Sequence, residues 1–293
     1  MTKKAEVVFQ QATILGEGAL WYVPGQVLYW LDISGQCVFI YDPATEKNRT
    51  IDIGHDVGAI VPRTSGGVML AIKGGFASLD FDTAEVKEVA MVESHLPGNR
   101  FNDGKCDPAG RFWAGSMAYD FSPGAASLYY LDTDLSVRRV MSGVTISNGL
   151  VWTQDTRTFY YIDSGTSQIS VYDYDKESGN ICNRRVVVEV PTDVGLLDGM
   201  SIDGEGMLWV AMYRAGTVCC WDPLSGNLLE KIEVPCAKLV TSCAFGGADL
   251  DELYITTASK GLSDEEKKEQ PLAGSLFKVK LDVKGAPTWE FAG

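Results

Sequence analysis

TFYYIDSGTSQISVYDYDKESGN, residues 158–180, reads as two short strands joined by a tight connection and closed by an acidic turn. TFYYIDS and ISVYDYD are rich in aromatic and β-branched residues, and Asp, Gly and Ser bound them. A lone hairpin of this kind buries too little surface to be stable by itself. The fold therefore turns on whether the unit recurs.

It recurs along the chain. VLYWLDI precedes CVFIYDPATEKN, GVMLAIK precedes FASLDFDTAE, GRFWAGSM precedes SLYYLDTD, MLWVAMY precedes VCCWDPLSGN and ELYITTAS precedes SLFKVKLD. The spacing is about 40 to 50 residues, the period of propeller blades. Helical periodicity is almost absent between the strands, which opposes a two-domain α/β enzyme. Apolar residues on both sides of each strand fit sheets that pack radially and cover one another's faces. The expected fold is all-β, a six-bladed β-propeller with four-stranded blades, one domain over residues 1–293. AEVVFQ near the start and TWEFAG at the end are the candidate strands for the closing blade. SDEEKKEQP, 263–271, reads as an exposed charged loop or helical turn.

Charge and composition narrow the function. With 39 acidic residues against 25 Lys and Arg, the net charge is −14, which opposes binding to nucleic acid or to an anionic membrane. MTKKAEVVFQ lacks the apolar core of a secretion signal and no apolar run reaches a membrane span, so a soluble, cytoplasmic protein is expected, monomeric or weakly dimeric. The seven cysteines form no CxxC pair or zinc-like cluster and read as buried, reduced thiols. Only His55 and His95 are present, so a histidine-rich metal centre or a Ser-His-Asp triad is hard to build. A metal here must rely on oxygen ligands, which favours Ca²⁺, Mg²⁺ or Mn²⁺ and leaves Zn²⁺ open.

Four polar knots interrupt the apolar pattern: ILGEGALW (14–21), NRFNDGKCDP (99–108), TISNGLVW (145–152) and LLDGMSIDGEGMLWV (196–210). Each sets a polar residue beside a glycine and leads into a strand. Turn formation alone accounts for such knots. In a propeller, however, the innermost strand of each blade lines a central tunnel, so Glu17, Asn102, Asn148 and Asp198 are expected to converge there. Two carboxylates and two amide oxygens in one tunnel suit a hard divalent cation.

At these residues the chain resembles the senescence marker protein (regucalcin), gluconolactonase and luciferin-regenerating enzyme family of six-bladed propellers. The motifs GEGALW, NRFNDGKCDPAGRFWAGSMA, ISNGLVW, FYYIDS, DGMSIDGEGMLWVA and TSCAFGG carry the resemblance over essentially the whole chain. It implies one divalent metal in the tunnel and, on the gluconolactonase side, hydrolysis of small sugar lactones. Position by position, it implies Glu17, Asn148 and Asp198 as metal ligands and Arg100 and Asn102 as substrate contacts; a mechanism built from these parts adds Asp198 as the catalytic residue that takes a proton from the attacking water. MAYD at 117–120 stands where the sugar lactonases carry MAEE, so Asp120 is expected at an altered substrate rim, with Tyr119 beside it. Asp103 and Lys105 are expected to fix a loop, His95 to face solvent, and Asp203 and Glu205 to form a hairpin turn without metal. Three activities are open at this point: a metal-dependent lactonase, a hydrolase of another electrophile at the same metal, and a non-enzymatic calcium-binding regulator.

Overall fold

The structure is a computed structural model that describes residues 3–293. Six antiparallel four-stranded sheets account for nearly all of its regular structure. The first blade runs through Gly16–Tyr22, Val27–Asp32, Cys37–Asp42 and Lys47–Asp52 in that order. Blades two to five repeat the pattern, beginning at Val57–Pro62, Asn99–Cys106, Ser147–Trp152 and Leu196–Ile202. The first strand of each blade packs against the first strands of both neighbouring blades, so these strands form the innermost ring.

Burial falls outward along each blade. Val57–Pro62 is wholly buried, whereas the fourth strand of the same blade, Val86–Met91, is half-buried to exposed. Between blades three and four, Trp113 meets Trp152 and Phe159 at ring-centroid distances of 5.4 and 5.3 Å. Such interleaved aromatics remove large apolar areas from water and hold the sheets face to face.

The N-terminal strand closes the ring. Glu6–Phe9 pairs antiparallel with Leu276–Lys280 and becomes the outermost strand of the sixth blade, whose other strands are Val240–Gly246 and Glu252–Thr257. Lys3–Lys4 adds to the edge of the fifth blade in parallel, Lys3 opposite Ile232.

TWEFAG does not join the closing blade. It crosses the far end of the tunnel: Phe291 N–H donates to Pro62 O at 2.8 Å, and Ala292 N–H donates to Gly110 O at 3.0 Å. The physical reason is the fully buried Phe291 ring, which finds its apolar seat beneath blades two and three. Arg63 then anchors the end of the chain, its guanidinium donating to Gly293 O at 2.8 and 3.1 Å. Gly110 has φ +81° and no room for a side chain, since a Cβ there would lie 2.5 Å from Ala292.

The charged segment 263–271 holds a short helix, Asp264–Glu269, started by a capping box between Ser263 and Glu266. The cysteines are free, though Cys182 and Cys236 are exposed rather than buried, and Cys37 is only half-buried. Among the described residues no helix is long and apolar enough to cross a membrane.

Candidate active site

Each innermost strand carries an irregularity near its start, where one extra residue is inserted relative to its partner strand. The register breaks between Glu17 and Leu20, Val57 and Ala59, Phe101 and Asp103, Asn148 and Leu150, Leu197 and Met200, and Val240 and Ser242. A bulge re-aims the local side chain away from the ordinary alternation of a strand. Here it falls on or beside Glu17, Asn102, Asn148 and Asp198, and all four line one cavity of about 350 Å³. The polar knots are therefore bulges within strands, not loops ahead of them. Glycine beside the bulge permits close approach of neighbouring blades: a Cβ on Gly149 would lie 2.8 Å from Asp198 O.

Two acidic residues steer the chain into this ring. Asp32, at the end of VLYWLD, accepts the N–H groups of Ile14 and Leu15 at 2.8 and 2.9 Å, just ahead of Glu17. Asp163, the equivalent residue in TFYYID, accepts those of Thr145 and Ile146 at 3.0 and 2.9 Å, just ahead of Asn148. The same local device thus delivers two site residues on opposite blades.

A belt of hydrogen bonds joins three blades. Arg100 Nη1 donates to Phe101 O at 2.9 Å and to Asn102 Oδ1 at 2.7 Å. Asn102 Nδ2 donates to Ser147 O at 2.8 Å and to Asn148 Oδ1 at 2.9 Å, so both of its amide hydrogens are committed within the protein. Asn148 Nδ2 donates to Ser164 Oγ at 2.8 Å, and Ser164 Oγ donates to Leu197 O at 2.5 Å, beside Asp198.

The acidic members lack such compensation. Burial, then the Asp103 carboxylate, pushes the Glu17 carboxyl up to about 8 despite the Gly18 N–H and Arg100. Burial, then Glu17 and Asp103, raises the Asp198 carboxyl well above the usual carboxylate range. Asp198 Oδ1 is buried and has no hydrogen-bond partner. An unpartnered carboxylate oxygen, a second buried carboxylate and an amide oxygen are the donor chemistry that a divalent cation requires, and the residues present fit one. Among the described residues no three His, Cys, Asp or Glu side chains gather into a metal site, so the set depends on the amide of Asn148.

Other expected residues fall elsewhere. Asp120 does not line the cavity: it is exposed and its carboxylate accepts the Ser122 N–H at 3.0 Å, because the chain turns there through Phe121 at φ +60°. Phe121 and Met117 line the cavity instead. Tyr119 donates its hydroxyl to Asp56 at 2.7 Å on the rim. Asp103 and Lys105 are not loop residues. Both lie in the innermost strand: Asp103 is buried and accepts Gly104 N–H at 2.7 Å, and Lys105 is half-buried, its Nζ donating to Met200 O. Lys105 faces a smaller cavity of about 40 Å³ at the far end, lined also by Ala286, Pro287, Thr288 and Trp289 of the C-terminal segment. His95 is exposed, and Asp203 sits at a hairpin turn, accepting Trp209 Nε1–H at 2.9 Å. Sequence reasoning missed Ser164, Tyr213, Arg214 and Lys260, which also line the main cavity. Ser164 follows the steering Asp163 directly, a legible cue; Arg214 and Lys260 come from turns with no pattern.

Comparison with known proteins finds relatives in both sequence and fold. Residues 15–259 match the family described as SMP-30/Gluconolactonase/LRE-like region. Regucalcin of Xenopus laevis is 40% identical over 296 residues, covering 99% of both chains. YvrE, a candidate sugar lactone lactonase of Bacillus subtilis, is 39% identical over 280 residues, covering 96% of both. The crystal structure of a calcium-binding protein, regucalcin, from Agrobacterium tumefaciens superposes with a TM-score of 0.95 at 26% identity, covering 100% of both chains.

Proposed function

The chain belongs to the SMP-30/gluconolactonase/LRE-like family, and on that premise we propose that it is a divalent-metal-dependent lactonase acting on a small sugar-type lactone. The observation that carries this reading is the pairing of two buried carboxylates with a buried arginine in one cavity. A purely calcium-binding protein has no use for a guanidinium beside its ligands, because a cation repels the ion.

Glu17, Asn148 and Asp198 would hold the ion. When bound, it would polarise the ester carbonyl and lower the pKa of water. Opening the ring adds water across the ester: the carbonyl carbon gains the water oxygen, the ring C–O bond breaks, and the freed hydroxyl takes a proton. Of the two Asp198 carboxylate oxygens, one would serve the ion and the other would take the water's proton, a division supported by the lack of a protein partner at Oδ1. Arg100 is held by one nitrogen against Phe101 and Asn102, which leaves its other N–H groups for substrate hydroxyls or the developing oxyanion. Asn102, with both hydrogens engaged, holds Arg100 and Asn148 in place and offers substrate only its carbonyl oxygen.

The test is a matrix of sugar lactones against Ca²⁺, Mg²⁺, Mn²⁺ and Zn²⁺ with purified protein, run beside Arg100→Ala. Lactone opening that needs a divalent ion, and an Arg100→Ala variant that keeps its ion but loses turnover, support the reading. No opening under any ion, with stoichiometric ion binding intact, overturns it in favour of a binding protein.

A further inference from the structure

We propose that the substrate carries a second, anionic group, a carboxylate or a phosphate ester, on the end that faces the mouth of the cavity. This rests on the lactonase reading of the same site and names the class of lactone it takes.

The charges lining the cavity are unevenly placed. The carboxylates are Glu17 and Asp198 alone, at its depth, and both are committed to an ion in that reading. The cations are Arg100, Arg214 and Lys260, and the latter two are exposed at the mouth. Among the described residues no ion pair involves any of the three. Lys260 Nζ donates only to Ser34 Oγ, at 3.1 Å. Asp56 and Asp32 act on Lys260 through space, and Arg214 acts on Glu266, yet among the described residues none of these acids closes to an ion pair with either cation.

Arg214 occupies the hairpin turn after Leu208–Tyr213 with φ +71°, a conformation unfavourable for a side-chain-bearing residue. Lys260 and Arg100 line the same cavity, and burial and then the Arg100 guanidinium lower the Lys260 pKa. In a chain of net charge −14, the exposed charged side chains that line this opening, Arg214 and Lys260, are both cations. A neutral sugar lactone leaves those cations unmatched. The carboxylate released by ring opening does not match them either, because it forms at the ester carbonyl, at the depth of the cavity. Arginine and lysine together at the mouth suit an anion on the opposite end of the molecule.

The experiment compares glucono-δ-lactone, a glucaric acid lactone and 6-phosphogluconolactone as substrates, in the wild type and in Arg214→Gln/Lys260→Gln. Binding of gluconate, glucarate and 6-phosphogluconate is measured beside it by calorimetry. The wild type should prefer at least one charged member in kcat/KM, chiefly through KM, and the two charged arms tell carboxylate from phosphate. The double variant should reduce that preference about threefold to tenfold, the range for two solvent-facing ion pairs. Equal use of the neutral lactone by the wild type, or an undiminished preference in the variant, overturns the proposal. If no lactone is opened, the lactonase reading fails separately. The binding arm then decides: gluconate held as tightly as glucarate and 6-phosphogluconate overturns the anion preference.

Discussion

Asn102 Nδ2 lies 2.9 Å from Asn148 Oδ1, so a wall residue of blade three and an ion-ligand candidate of blade four share one hydrogen bond. Second-layer contacts of this kind fix the aim of a ligand oxygen. Asn102→Ala should weaken divalent-ion affinity by about tenfold to a hundredfold, the usual loss when such a partner is removed. Calorimetric titration checks it. Unchanged affinity would show that Ser164 alone holds Asn148.

Removing the ion should expose a pH dependence. An ordinary Glu carboxyl titrates near 4.5, and Glu17 in the fold titrates near 8, so the folded chain holds a proton that the unfolded chain releases. The stability tied to that proton is complete below 4.5 and is lost as pH rises through about 8. Asp198 shifts in the same direction. In chelator, Tm should therefore fall across this window. Saturating calcium should flatten the fall, because the ion binds the ionised carboxylates. Glu17→Gln should lose part of the slope, and a level metal-free profile in the wild type would contradict the shift.

Asp163 offers a test at one remove from the chemistry. Asp163→Ala leaves the N–H groups of Thr145 and Ile146 without their acceptor, at a cost of about 1–3 kcal/mol. Denaturant titration should show that loss, and ion affinity should drop as well because Asn148 follows directly. Asp163→Asn keeps an acceptor for only one of these two N–H groups and sets an amide donor against the other, so it should recover part of the loss at most. A stability loss with unchanged affinity would separate this residue from the site.

Phe291→Ala should lower stability by about 3–5 kcal/mol, as for other fully buried aromatics. The same measurement reads it. A loss below 1 kcal/mol would mean that the C-terminal segment is held by Arg63 and its backbone bonds alone.

The blade count was legible because each unit repeats an aromatic strand and an acidic turn, and that repetition is local in sequence. Closure by Glu6–Phe9 was legible for a related reason: a four-strand unit lacking one strand must find it at the other terminus. TWEFAG misled because an alternating apolar hexapeptide reads the same whether it joins a ladder or plugs an opening. Glu17, Asn102, Asn148 and Asp198 were visible as polar residues beside glycine, yet nothing in that pattern distinguishes a bulge from a loop. Asp103 and Lys105 read as residues that fix a loop for the same reason, whereas the innermost strand buries Asp103 and half-buries Lys105. Asp120 was placed by its neighbours in the chain, and the turn at Phe121 sends its carboxylate away from the cavity. Arg214 and Lys260 reach the mouth only through tertiary placement.

The C-terminal segment fills the far end through Ala286, Pro287, Thr288 and Trp289, and the main cavity opens where Arg214 and Lys260 are exposed. Traffic through that opening passes the two cations in both directions. A product still in residence excludes the next substrate outright and should act as a strictly competitive inhibitor. Turnover is then paced by departure whenever the cationic rim grips the product's far end, and the feature that draws an anion inward also delays its exit.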